Sequence, residues 1–208
     1  MTGLMDQIIA LARLTLQDPA AGVRSLLSLG VPLPARTAGL LLVAVCSALL
    51  VHLGFLLLPA SEDPISQFMS QSPFRTAVIQ WLILAATVLC IFQIGRAFGG
   101  KGTLTDTILV VVWLQFIMLA VQIVQLLSMV LIAPLAGLVN LAGLILFFWL
   151  FTSFIAALHG FASRWMVLVG IIGSGFAIAT VLAVILSILY GPGALQGCLL
   201  YTSPSPRD

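Results

Sequence analysis

Charge is what this sequence has least of. Its 208 residues hold eight Lys and Arg and six Asp and Glu, 7% in all, where a soluble domain carries about 25%. Lysine occurs once, at Lys101, and the 57 residues from Thr107 to Ser163 contain no Asp, Glu, Lys or Arg. A formal net charge of +2, scattered along the chain, gives no basis for a nucleic-acid partner. The three cysteines form no Cys-x-x-Cys pair. Cys46 and Cys90 lie inside apolar runs, which favours packing over a disulfide or a metal site. No Ser/His/Asp set, no carboxylate pair in a cleft and no His/Cys metal spacing can be assembled, so no catalytic residue, cofactor or metal is expected. Met1–Asp18 has neither a basic n-region nor a small-residue cleavage site, and so does not read as a signal peptide.

What is present is hydrophobic surface: 62% of residues, more than a soluble fold of this size can cover, so the solvent of most of the chain is lipid. Five apolar runs, at 37–58, 76–94, 107–133, 135–158 and 166–190, each approach or exceed the ~20 residues a helix needs to cross ~30 Å of hydrocarbon. They are apolar all round rather than alternating, which predicts helices and not a barrel. The fold class is therefore all-α: a polytopic bundle of five transmembrane helices at 37–190, preceded by a cytoplasmic or interfacial segment at 1–36. The uncharged stretch must fold back on itself, and Pro134 with Ala133 and Gly137 marks the hairpin, making spans three and four antiparallel neighbours.

The segment before the spans is periodic at helical spacing. Leu4, Ile8, Leu11 and Leu14 share one face, and Asp6, Arg13 and Gln17 share the opposite one. Asp18-Pro19 stops this amphipathic helix, and a second short segment, 20–29, carries Arg24, Leu26 and Leu27. Two readings stand: an interfacial helix on the cytoplasmic leaflet, or a helix packed on the bundle's own end. Orientation follows from Lys and Arg placement. With the N-terminus inside, Arg13, Arg24, Arg36, Arg96, Lys101 and Arg164 are cytoplasmic, whereas Arg75 lies outside beside Glu62 and Asp63. Five spans then leave the C-terminus outside. Trp113 and Trp165 fall near the inner interface, Trp81 and Tyr190 near the outer one, and Trp149 is expected to be a packing residue.

The polar, glycine-rich break at 95–106 is the candidate interaction loop: Arg96, Gly99, Gly100, Lys101, Gly102 and Thr103. Gly95-x-x-x-x-Gly100-Lys101 is one residue from a P-loop, but Gly102 stands where Ser or Thr should hold Mg²⁺, and a lipid-embedded span precedes it. The glycines suit a tight crossing, with Arg96 and Lys101 near anionic head groups and Thr105 or Asp106 capping span three. Within the spans, Gln115, Gln122, Gln125 and Asn140 form a candidate polar face. It reads either as a solute pathway or as interhelical hydrogen bonding, and the absence of any Asp, Glu, Lys or Arg from the span cores favours bonding. His52 near a span end is a further candidate titrating group, whereas His159 is expected to be interfacial. Gly170, Gly173, Ser174 and Ala177 have the small-x-x-x-small spacing of close helix packing, within the monomer or between copies.

Asp18-Pro19 followed by Arg24-x-Leu26-Leu27, then Gly99-Gly100-x-Gly102-Thr103 opening span three, resembles a bacterial member of the Yip (Ypt/Rab-interacting protein) family. Those are small five-span membrane proteins with a cytoplasmic N-terminus, and the resemblance covers about Asp18 to Tyr190. It implies a role in membrane organisation or trafficking without a known reaction; with no catalytic set in the sequence, the expectation is a non-enzymatic scaffold or adaptor whose cytoplasmic loops contact the lipid bilayer, a protein partner or a second copy. The Asp-Leu-Tyr-Gly-Pro motif of eukaryotic members does not occur here, which leaves a Rab-like GTPase partner without its motif. The alternative expectation is a small transporter or channel subunit using the glutamines of span three. Cys198–Asp208 resembles the translation of a transposase adapter used in shotgun library preparation. The expectation is that 191–197 begins a truncated tail, 198–208 is foreign, and the natural chain runs past Gly197.

Overall fold

The computed structural model describes residues 3–58 and 64–190. The expected acidic pair Glu62 and Asp63, and the tail at 191–208, lie outside the described residues. Among the described residues the regular structure is all helical: α1 (Leu4–Gln17), α2 (Pro19–Ser28), α3 (Leu33–Leu57), α4 (Pro64–Ser70), α5 (Pro73–Ala97), α6 (Leu104–Leu131), α7 (Ala133–His159) and α8 (Arg164–Tyr190). Five of these, α3 and α5 to α8, are long and apolar enough to cross a membrane.

The helix ends explain why the elements outrun the apolar runs. α3 starts at Leu33 because Pro34 sits in its first turn, where the missing N–H costs nothing. α5 starts at Pro73, capped by the Ser72 hydroxyl, which accepts from the Arg75 amide. Ile132 alone separates α6 from α7, so the turn comes two residues before Pro134, which instead lies in the first turn of α7.

α6 is the central helix and packs on α2, α3, α5 and α7. It runs parallel to α3, since Arg36 meets Asp106, Ser47 meets Gln122 and Gly54 faces Leu126. It runs antiparallel to α7, where Gln125 meets Asn140 and Gly102 meets His159. One end of the bundle thus gathers the start of α3, the end of α5, the start of α6 and the end of α7, and with them Arg36, Arg96, Lys101 and Arg164. We call this the basic end. The fully buried core lies toward it: Leu40, Val43 and Ala44 of α3, Leu84 and Val88 of α5, Val110, Val111 and Leu114 of α6, Leu150 and Phe154 of α7. Toward the far end apolar side chains face outward, Leu56 at 82% and Leu131 at 73% exposure, which only a lipid solvent tolerates. Trp149, expected to pack, is 39% exposed and faces outward. At the far end, Arg75 ties α4 to α5, its guanidinium 3.7 Å over the Phe68 ring and bonded to the Phe68 carbonyl.

α1 and α2 form a hairpin hinged at Asp18. The Asp18 carboxylate accepts from the amides of Ala20 and Ala21 at 3.0 and 3.1 Å, so Asp18-Pro19 starts α2 as well as stopping α1. Gly22 lets the two helices touch: a Cβ there would lie 2.5 Å from the Thr15 hydroxyl. Pro19, Val23 and Leu26 are buried, and α2 packs on α6 and α7. The hairpin therefore docks on the bundle's own end. α8 forms a compact unit of its own.

Candidate interaction surface at the basic end

The loop from Gly95 to Thr103 is built around one side chain, His159, which is 2% exposed and not interfacial as expected. α7 ends there with Gly160 at φ +75°, the left-handed conformation glycine supplies. The Lys101 amide donates to the His159 carbonyl at 3.1 Å, and the Gly102 amide donates to His159 Nδ1 at 3.3 Å. An accepting Nδ1 carries no proton, so the ring is held with its proton on Nε2. A Cβ on Gly95 or Gly100 would overlap the ring, and one on Gly102 would lie 2.9 Å from Leu158 Cγ. These three glycines are therefore a cradle rather than a flexible crossing. Gly99 has a different reason: its φ of +83° makes the turn in which the Gly100 amide returns to the Gly95 carbonyl at 2.8 Å.

Thr103 closes the loop as the N-cap of α6, its hydroxyl accepting from the Asp106 amide at 3.1 Å. Thr103, and not Thr105 or Asp106, is the cap; Asp106 instead accepts from the Thr103 hydroxyl at 2.6 Å and pairs with Arg36 at 2.8 Å. Arg36 Nη1 also donates to the Thr105 carbonyl at 2.7 Å, and Nε donates to Val31, which ties the start of α3 to the start of α6. This is the one ion pair among the described residues. Arg13, Arg24, Arg96, Lys101 and Arg164 are left without an ion-pair partner there. Arg96 lies 5.5 Å over the Phe92 ring, and Phe98 at the tip is 72% exposed. The frame thus presents Arg96, Phe98 and Lys101 outward from a fixed backbone.

The Asp18 carboxyl is held below its usual range chiefly by the Ala21 amide, which with the Ala20 amide and the charges of Arg24 and Arg164 outweighs the opposing desolvation. Beneath the frame, Trp113 of α6 donates its indole N–H to the Thr15 hydroxyl at 3.0 Å. Trp113 is 8% exposed, so it is a buried joint rather than a free belt residue.

The intramembrane polar residues separate into pairs. The Ser47 hydroxyl donates to Gln122 at 3.2 Å, joining α3 to α6, and Gln125 donates to Asn140 at 3.2 Å, joining α6 to α7. Gly143 gives Gln125 room, since a Cβ there would lie 2.8 Å from its amide nitrogen. Gln115 is half-buried and makes no hydrogen bond among the described residues. His52 stands edge-on to Phe55 with both ring nitrogens buried. On α8, Ser174 bonds the Ile171 carbonyl of its own helix, and a Cβ built on Gly170 or Gly173 would meet no described atom within 4 Å. Ala177 is exposed on the same helix.

The end of α1, α2, the five spans and the loop fall within residues 14–190, and these match the Yip1 domain. The chain belongs to the Yip1 domain family. Neither a curated protein nor a solved structure matches the chain. The Yip1 domain makes this an integral, multi-pass membrane protein, and its family is not known as one of enzymes. The residues that sequence reasoning missed are Thr15, Gly22, Arg36 and His159. Asp18-Pro19 signals the hairpin that brings Thr15 and Gly22 together; no sequence signal links His159 to a loop 57 positions earlier.

Proposed function

We propose that this Yip1 domain protein is a non-enzymatic scaffold or adaptor of a bacterial cytoplasmic membrane, with its basic end cytoplasmic and the C-terminal side of α8 outside. The observation that carries the reading is the fixed frame around His159. It holds Arg96, Phe98 and Lys101 outward without ion-pair partners, and a pre-organised surface binds at less entropic cost than a mobile loop. Basic residues beside an exposed aromatic suit both lipid head groups and a protein partner. The excess of Lys and Arg at that end supports the orientation. Gly170, Gly173, Ser174 and Ala177 are proposed as helix-packing positions, open to the monomer's own helices or to a second copy.

The competing reading is a transport pathway along α6. It would run past Gln115, Gln122, Gln125 and Asn140. The pairing of three of these with Ser47 and with one another supports a packing role, worth ~0.6–2 kcal/mol per contact. In-cell photo-crosslinking from Phe98 and Lys101 tests the adaptor. Thr103 is avoided because its hydroxyl caps α6. A discrete protein partner, or crosslinked anionic lipid, is the expected result; a silent loop overturns the reading.

A further inference from the structure

α1 has two apolar faces, and the bundle uses one of them. Thr15 is fully buried and Leu11 half-buried on the inner side. A second row, Met5, Ile9 and Leu16, lies 67%, 46% and 46% exposed and recurs at helical spacing. Arg13 borders that row, four positions after Ile9, and has no ion-pair partner among the described residues. A helix with one apolar side docked on protein and a second turned outward requires cover on that second side.

The level of α1 in the membrane can be read from its joint with α6. α6 has 28 residues and is about 42 Å long, against about 30 Å of hydrocarbon. At its far end Leu131 and Leu138 are 73% and 65% exposed, and no polar side chain interrupts 129–139. That turn therefore stays at the hydrocarbon edge, and the excess length projects at the basic end. Counting back about 20 residues from Leu131 reaches Val112. Trp113 thus stands at the opposite hydrocarbon boundary, the level where tryptophan is enriched. Its bond to Thr15 pins the C-terminal half of α1 at that depth.

We propose that the outer row of α1 is inserted at the headgroup–acyl boundary of the leaflet at the basic end, with Arg13 on lipid phosphate, so that its occupant is anionic phospholipid of the protein's own membrane. At this end Arg13, Arg24, Arg96, Lys101 and Arg164, unpaired among the described residues, outnumber the exposed carboxylates of Asp6 and Asp18. The net charge therefore complements that of an anionic leaflet, and the apolar row meets acyl chains at the depth the Trp113–Thr15 joint sets. The hairpin is then held from two sides, by α6 and α7 within and by lipid without. This goes beyond the adaptor reading and does not depend on the loop having a protein partner; crosslinking at Phe98 and Lys101 reports on the loop separately.

The test is site-directed spin labelling of the full chain, with Cys46, Cys90 and Cys198 replaced by alanine, in nanodiscs of mixed phosphatidylcholine and phosphatidylglycerol. Labels go one at a time on Met5, Ile9 and Leu16, with Asp6 and Gln17 as references. All five are exposed, so labelling leaves the packing intact; Asp6 also accepts from the Gly3 amide at 3.1 Å, so Gln17 is the primary reference. Collision with oxygen, which partitions into lipid, is compared with collision with a water-soluble nickel chelate. The expected oxygen-to-nickel ratio is several-fold higher at Met5, Ile9 and Leu16 than at Asp6 and Gln17, and it falls at Ile9 when phosphatidylglycerol is omitted or Arg13→Gln is introduced. Nickel access at the row equal to that at Gln17 overturns the proposal. So does protection from both reagents, which would mean that protein, such as a second copy, covers the row. A ratio indifferent to phosphatidylglycerol overturns the assignment of anionic lipid.

Discussion

The indole of Trp113 donates to the hydroxyl of Thr15 at 3.0 Å across 98 positions of sequence, and both residues are buried. The bond fastens a helix that precedes the spans to the central helix α6, near the basic end of the bundle. Thr15→Val removes the acceptor and strands a buried N–H, at an expected cost of about 1–3 kcal/mol. Thr15→Ser should restore most of it. Thermal unfolding of the detergent-solubilised protein reads both. Equal stability of Thr15→Val and the parent would show that the hairpin is not held this way.

The cradle around His159 predicts a coupling between residues far apart in sequence. Gly95→Ala presses a methyl against the ring, whose Nε2, Cε1 and Cδ2 would lie within 2.7 Å of the new Cβ, and overpacking of this kind costs about 1–3 kcal/mol. In a His159→Ala background the ring is gone and the same substitution should cost much less. Gly99→Ala is the control: its strain, about 1–2 kcal/mol, comes from a φ of +83° with no atom within 4 Å, so it should be the same in both backgrounds. A double-mutant cycle with no coupling between positions 95 and 159 contradicts the geometry.

Asp18 gives the hairpin a pH dependence of known sign. Its folded pKa lies below the ordinary value, so its contribution is complete above the unfolded pKa of about 3.9 and is lost as pH falls through the depressed folded value. Asp18→Asn, which can still cap α2 but does not titrate, should flatten the acid limb of the stability profile. An unchanged acid limb in this variant would assign the dependence to another group.

The pairs Ser47–Gln122 and Gln125–Asn140 should behave as packing contacts. Gln125→Leu and Asn140→Leu each are expected to cost about 1 kcal/mol or less, with a coupling near 0.6 kcal/mol between them. Unfolding in mixed micelles measures the cycle. Additive effects would mean that the two amides do not bond in the membrane.

The number and order of the spans could be read from sequence because hydropathy reports hydrocarbon. The helices themselves run further: α3 opens at Leu33, α5 at Pro73 and α6 at Leu104, where proline and capping chemistry, not hydropathy, set the start. The loop was legible as a glycine-rich break with two cations, but its meaning was not. Gly95, Gly100 and Gly102 are small because an imidazole from α7 fills the space, and nothing local in the sequence announces that. His159 looked interfacial because a histidine at the end of an apolar run is usually wet. The docking of α1 had two open readings, since one apolar face looks the same whether protein or lipid covers it; Thr15 on Trp113 decides for the bundle on the inner side.

The central claim is that the work of this Yip1 domain protein is done at its basic end, which we propose faces the cytoplasm, while the polar groups within the spans stay dry. Single cysteines at Phe98, Lys101, Gln115 and Gln122, in a background without the native cysteines, test it most directly. They are probed in inside-out and right-side-out vesicles with a membrane-impermeant maleimide. The account predicts fast labelling of Phe98 and Lys101 in inside-out vesicles alone and none at Gln115 or Gln122. Labelling at Gln122 as fast as at Phe98, or labelling of Lys101 from the outside, would contradict it.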